Sequence, residues 1–225
     1  MENYYSYDQV RNPSIVKVFG YMFLGLLISA LSAVGLFYLF GSGVLGPISY
    51  FGVTIASSIG LIILVFVSQL YCLKNKKGGL ITYGLYSLCM GVLLSSLMFT
   101  YSIRFLGFVF LCTSLVFGVM ALYGIFTKTN TTSLGMFGVG ALFGVITLTI
   151  INIFLQSAPI YYLISYISLA AMLALTAYDV NKAKQLANSG YMSEELAIYM
   201  ALQLYTDFIY IFLRLVRIIG RSRNQ

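Results

Sequence analysis

Two aspartates sit where an aspartate is costly. Asp179 lies in LALTAYDVNKAK and Asp207 in MALQLYTDFIYIFLRLVR, each in or at the end of a long apolar run. A charge at the middle of a bilayer costs at least about 2.5 kcal/mol on insertion scales, so such a residue should face protein or water and usually marks a functional position. Helical spacing puts Gln203, Tyr210 and Arg214 on the same face as Asp207, a polar stripe on an apolar helix. Two readings stay open for each aspartate. Asp207 can pair with Arg214 or Gln203 and merely fix packing, and Asp179 can pair with Lys182 one turn on. Alternatively the two carboxyls meet, because a short loop joins their helices. Two carboxyls sharing a low-dielectric site cannot both ionise easily, so they titrate as a unit and form a proton sensor. Carboxylate oxygens are also the preferred ligands of calcium, which makes Asp179 and Asp207 candidate calcium ligands.

The composition requires lipid around these helices. Of 225 residues, 60% are hydrophobic and only 8% charged, and the mean hydropathy is +0.93. A soluble domain carries about a quarter charged residues. Each membrane span needs roughly 20 apolar residues. Seven such runs use up nearly the whole chain and leave no room for a soluble catalytic domain. Only helices and closed barrels satisfy the backbone in lipid, and these runs are too long and too uniformly apolar for barrel strands. The expected fold is therefore an all-α integral membrane bundle of seven helices.

The expected spans are 18–40, 48–73, 79–101, 103–126, 134–155, 160–180 and 196–219. Residues 1–17 form an N-terminal tail, 18–220 one helix-bundle domain, and 221–225 a basic tail. A polar loop is expected over 181–195. Gly25, Ser29 and Ala33, Gly140 and Gly144, and Ala170 and Ala174 form rows of small residues suited to close helix packing. A monomer or weak oligomer is expected. With the N-terminus in the cytoplasm, the inner side receives Arg11, Lys17, Lys74, Lys76, Lys77, Lys128, Lys182 and Lys184, and the outer loops receive only Arg104. Arg214, Arg217, Arg221 and Arg223 conflict with that count if the last run crosses fully.

Several function classes fall away. The absence of histidine removes Ser-His triads, HExxH zinc sites and imidazole relays. Cys72, Cys89 and Cys112 have no metal-like spacing and are expected to be free thiols. The net charge of +7 lies mostly in short loops, as topology signals do, so nucleic acid is not an expected partner. Lysine is confined to tails and loops and no Gly-x-Gly-Asp element accompanies the aspartates, so no enzyme is expected. No internal repeat signals an inverted-repeat transporter.

LTAYDVNKAK followed by ALQLYTDFIYIFLRLVRIIG resembles the end of the Bax-inhibitor (transmembrane Bax inhibitor motif) family. The pattern is a Tyr-Asp closing one span, then Leu-x-Leu-Tyr-x-Asp-Phe-Ile and Leu-x-Arg in the last. Ala201, Leu202, Leu204, Tyr205, Asp207, Phe208, Ile209, Phe212, Leu213 and Arg217 all fit it. The resemblance implies six helices around a central seventh. It also implies a calcium leak gated by pH, in which the Asp179–Asp207 pair shares a proton and holds a latch between the second, sixth and seventh helices closed. Some bacterial relatives carry an arginine near the inner end of the second span. Here Gln69 stands at that place, with Lys74 and Lys182 as substitute latch partners. No resident cofactor is implied, and calcium and protons would be the ions handled. The resemblance to bacterial-type members places the protein in a bacterial plasma membrane. Two alternatives remain: a regulator that binds a membrane protease or cell-death factor, and a proton-coupled transporter of a small solute.

Overall fold

A computed structural model describes residues 15–44 and 46–222, with the side chains of residues 221 and 222 left aside. Residues 1–14 of the expected N-terminal tail, including Arg11, and the side chains of Arg221 and Arg223 lie outside this set, while residues 15–17 of that tail already belong to the first helix. Seven α-helices follow in order: α1 Ile15–Gly41, α2 Pro47–Lys74, α3 Lys76–Thr100, α4 Ile103–Phe126, α5 Thr132–Leu155, α6 Ala158–Asn188 and α7 Glu194–Ser222. All seven are long and apolar enough to cross a membrane, and no strand occurs among the described residues.

Local chemistry sets the boundaries. Pro47 opens α2 where its missing N–H costs nothing. Asn75 both ends α2 and caps α3, its side chain accepting from the Lys77 N–H at 3.1 Å. Ser102 caps α4 by accepting from the Phe105 N–H at 3.3 Å. Gln156 closes α5 in the left-handed region, φ 49°.

The main departure from the sequence-based expectation lies after Asp179. The expected loop at 181–195 is helical on both sides of a short turn: α6 continues to Asn188 and α7 begins at Glu194. NKAKQLAN is polar but built largely of good helix formers, and Asn181 and Ala183 on it are buried against the bundle. Polarity there marks where the helix leaves the apolar zone, not where it stops. The last run is a single unbroken helix of 29 residues, long enough for a full crossing of roughly 30 Å at about 1.5 Å per residue.

Helix α7 is the hub. It packs on α1, α2, α3, α4 and α6, while α5 packs on α6. Two pairs that flank α7 stay apart. Between α1 and α4 lies an apolar cavity of about 260 Å³, floored by Phe208, Ile209 and Phe212. The second gap separates α2 from α6. Lys17 and Lys76 both pair with Glu194 at one end of the bundle. That end carries the lysines and the other carries Arg104, Arg214 and Arg217.

The α1–α3 crossing is close because its contact residues are small. Gly25 faces the Tyr83 hydroxyl, and Gly91 faces Ser29 and Ser32. The Ser29 hydroxyl donates to the Ser87 carbonyl at 2.8 Å and shares a 2.6 Å bond with the Tyr205 hydroxyl, tying α1, α3 and α7 together. The row Gly25, Ser29 and Ala33 is thus buried. The Gly140–Gly144 row is not a packing row: both residues are exposed, with open space above them. Helix α5 instead meets α6 through Gly135 and Gly138, which face Tyr178 and Leu175. Ala174 is buried and Ala170 exposed.

A methyl group at Gly25 would collide with the Tyr83 ring and hydroxyl. Gly25→Ala is expected to destabilise the purified protein by about 1–3 kcal/mol, read as a lower thermal unfolding midpoint in detergent. Gly140→Ala should leave the midpoint unchanged or slightly raised.

Candidate functional site: a buried aspartate pair

Asp179 comes from α6 and Asp207 from α7, and both are buried, at 8% and 6% exposure. Their carboxyl groups stand in side-chain hydrogen-bonding range of each other. Two carboxylates offer only acceptors, so this contact becomes a hydrogen bond only when one carries a proton. Among the described residues the one hydroxyl beside Asp207 is that of Thr176. Asp207 Oδ2 is buried with no hydrogen-bond partner. The Thr176 hydroxyl beside it gives its proton to the Met172 carbonyl at 2.8 Å.

The pair lines a cavity of about 200 Å³ in the gap between α2 and α6, together with Val65, Gln69, Tyr199, Leu202, Gln203 and Thr206. Gln203, Tyr210 and Arg214 lie along α7 with further polar residues at helical spacing. Tyr199, Gln203, Thr206, Tyr210, Arg214 and Arg217 recur at three- and four-residue steps and are the less buried polar positions of that helix. Tyr199 and Thr206 were not singled out from the sequence, although stepping one turn back from Gln203 reaches Tyr199. Gln203 donates to the Tyr199 hydroxyl at 3.3 Å, and its Oε1 is buried without a partner. Tyr210 is 46% exposed beyond the cavity, and Arg214 is half-buried nearer the arginine end.

Neither aspartate is in an ion pair among the described residues, where the ion pairs are Lys17–Glu194 and Lys76–Glu194. Lys182 acts on Asp179 through its field, yet its ammonium lies over the Tyr178 ring, 5.9 Å from the centroid. Gln69 reaches the cavity from α2, whereas the exposed Lys74 is not among its lining residues. No cluster of three or more Cys, Asp or Glu side chains able to hold a metal occurs among the described residues. Among the described residues, Asp179 and Asp207 are the acidic side chains that line the cavity. Cys72, Cys89 and Cys112 are free thiols.

One polar group close to the pair gave no sequence signal of its role. Asn181, fully buried on α6, donates to the Gly124 carbonyl at 2.9 Å. Its Oδ1 accepts from Thr131 at 3.0 Å and from Gln185 at 2.6 Å. It pins the segment carrying Asp179 to the end of α4 and the start of α5.

Fold and site together define a multi-pass helical membrane protein with a carboxyl pair buried beside its central helix. The family model described as inhibitor of apoptosis-promoting Bax1 matches residues 11–224. Inner membrane protein YbhL of Escherichia coli strain K12 is 32% identical over 93% of this chain and 92% of its own. An uncharacterized membrane protein of Streptococcus pyogenes serotype M1 is 31% identical over 96% and 95%. A Borreliella burgdorferi protein is also 31% identical, over 96% and 95%. The chain belongs to the Bax inhibitor family.

Replacing Asn181 by alanine removes one donor and one double acceptor at a buried junction. It is expected to cost about 1–3 kcal/mol, seen as a lower unfolding midpoint, with a larger loss than Gln185→Ala at the exposed edge of the same cluster.

Proposed function

We propose that this protein is a pH-sensitive cation leak channel, with calcium as the ion that passes and the Asp179–Asp207 pair as proton sensor and gate. The observation that carries the reading is the unpartnered Asp207 Oδ2 beside Asp179, in a cavity between three helices. With one proton on the pair, α6 and α7 are held together beside the cavity and the ion path stays shut. When that proton leaves, two like charges face each other at low dielectric and push the helices apart. The same two carboxylates then present oxygen ligands to a passing calcium ion, held loosely because no third acidic ligand joins them. The field at the pair includes Lys182 from α6, while α2 contributes only neutral Val65 and Gln69 to the cavity. No step in this reading is enzymatic.

The lysine count favours an N-terminus in the cytoplasm, and the name of the Escherichia coli relative favours a bacterial plasma membrane. A second reading draws on the family description, an inhibitor of a death-promoting protein: a membrane regulator acting by contact with a partner. Crosslinking in native membranes separates the two, since a regulator should yield a stoichiometric adduct.

Calcium entry into proteoliposomes tests the leak directly. Flux should rise with pH in the wild type, and Asp207→Asn and Asp179→Asn should each flatten that dependence. Flux that keeps its full pH dependence in Asp207→Asn would remove the gate from this pair. No protein-dependent flux at any pH would favour the regulator.

A further inference from the structure

The arginine end of the bundle carries charge of one sign. Arg104 and Arg217 are exposed there and Arg214 is half-buried, while the described acidic residues are Glu194 and Glu195 at the lysine end and the aspartate pair within the bundle. Arg214 and Arg217 lie one turn apart on the α7 face that looks into the α2–α6 gap. Arg214 feels Arg217, Tyr161 in the first turn of α6, and Tyr210 one turn back. Neither arginine is in an ion pair among the described residues. Two guanidinium groups within reach of each other repel. An arginine partly withdrawn from water at the edge of a bilayer also needs compensation. Tyr161 and Tyr210 offset it in part, no carboxylate among the described residues lies beside it, and α2 and α6 pack together little at the site.

We propose that Arg214 and Arg217 form a binding site for the phosphodiester headgroup of a membrane phospholipid, whose chains enter the mouth of the α2–α6 gap. The guanidinium fork suits phosphate oxygens, which accept two parallel hydrogen bonds. A phosphate between the two forks converts their repulsion into two attractions. The position fits, because long arginine side chains near a helix end reach headgroup level while their stems stay along apolar surface. The lateral opening also gives acyl chains a way in from the bilayer that a closed bundle would deny. This site stands apart from the aspartate pair, and its test does not depend on ion conduction.

The test is native mass spectrometry of the full-length protein in mild detergent. It is titrated in turn with phosphatidylglycerol, with diacylglycerol, and with soluble glycerol phosphate. Wild type is expected to retain one phosphatidylglycerol. Arg214→Gln/Arg217→Gln should weaken that retention about tenfold or more, and Arg217→Gln alone, at an exposed position that tolerates substitution, several-fold. Arg104→Gln should change nothing. Diacylglycerol lacks the phosphate and should not be retained. No phosphatidylglycerol on wild type, or equal retention on Arg217→Gln and wild type, would overturn the proposal. Glycerol phosphate bound as tightly as the lipid would replace the membrane ligand with a free phosphate ester.

Discussion

Two carboxyl groups held side by side in a buried site can hydrogen-bond each other only when one carries a proton. Without it, Asp207 Oδ2 has no donor, and two negative charges face each other where water cannot screen them. Around this constraint the bundle divides its work. On one side of α7, Tyr205 is fixed by Ser29 and wedged edge-on against the Tyr83 and Tyr86 rings. Gly25 and Gly91 let α1 and α3 approach closely enough to hold it. That side is closely packed, with Ser87 Oγ its one buried polar atom without a partner among the described residues. The opposite side carries the polar stripe and faces a gap that α2 and α6 leave unfilled. A helix anchored on one face and loosely covered on the other is suited to small displacements toward the open side.

The anchoring of α6 complements this. Asn181 binds the ends of α4 and α5 two residues beyond Asp179. At the same end, Lys17, Lys76 and Tyr21 converge on Glu194 at the start of α7. Both helices are thus tied at their lysine ends, and the carboxyl pair lies inward of those ties.

Much of this was legible in the sequence because lipid imposes simple rules. Unbroken apolar runs located all seven helices, since no other element satisfies the backbone there. The three- and four-residue spacing around Asp207 located the polar face. The end of α6 was misread because NKAKQLAN is polar, and polarity in a membrane chain signals depth before it signals a break. Gly140 and Gly144 were misread because small residues spaced by four permit close packing but do not compel it. Gly135 and Gly138, also on α5, were the ones opposite Tyr178 and Leu175. Asn181 and Thr176 gave no warning, because their roles depend on which helices become neighbours and not on local pattern. The absence of an ion pair at Asp179 has a local cause: Lys182 lies over the Tyr178 ring one turn back on the same helix.

The central claim is that Asp179 and Asp207 hold one proton between them. Infrared difference spectroscopy of the protonated-carboxyl C=O stretch reads this directly, in reconstituted protein stepped from about pH 5 to about pH 8. The account predicts one protonated carboxyl in wild type that disappears across the step and is missing in Asp207→Asn. A wild-type spectrum without a protonated carboxyl anywhere in that range, or a band that persists unchanged in Asp207→Asn, would contradict it.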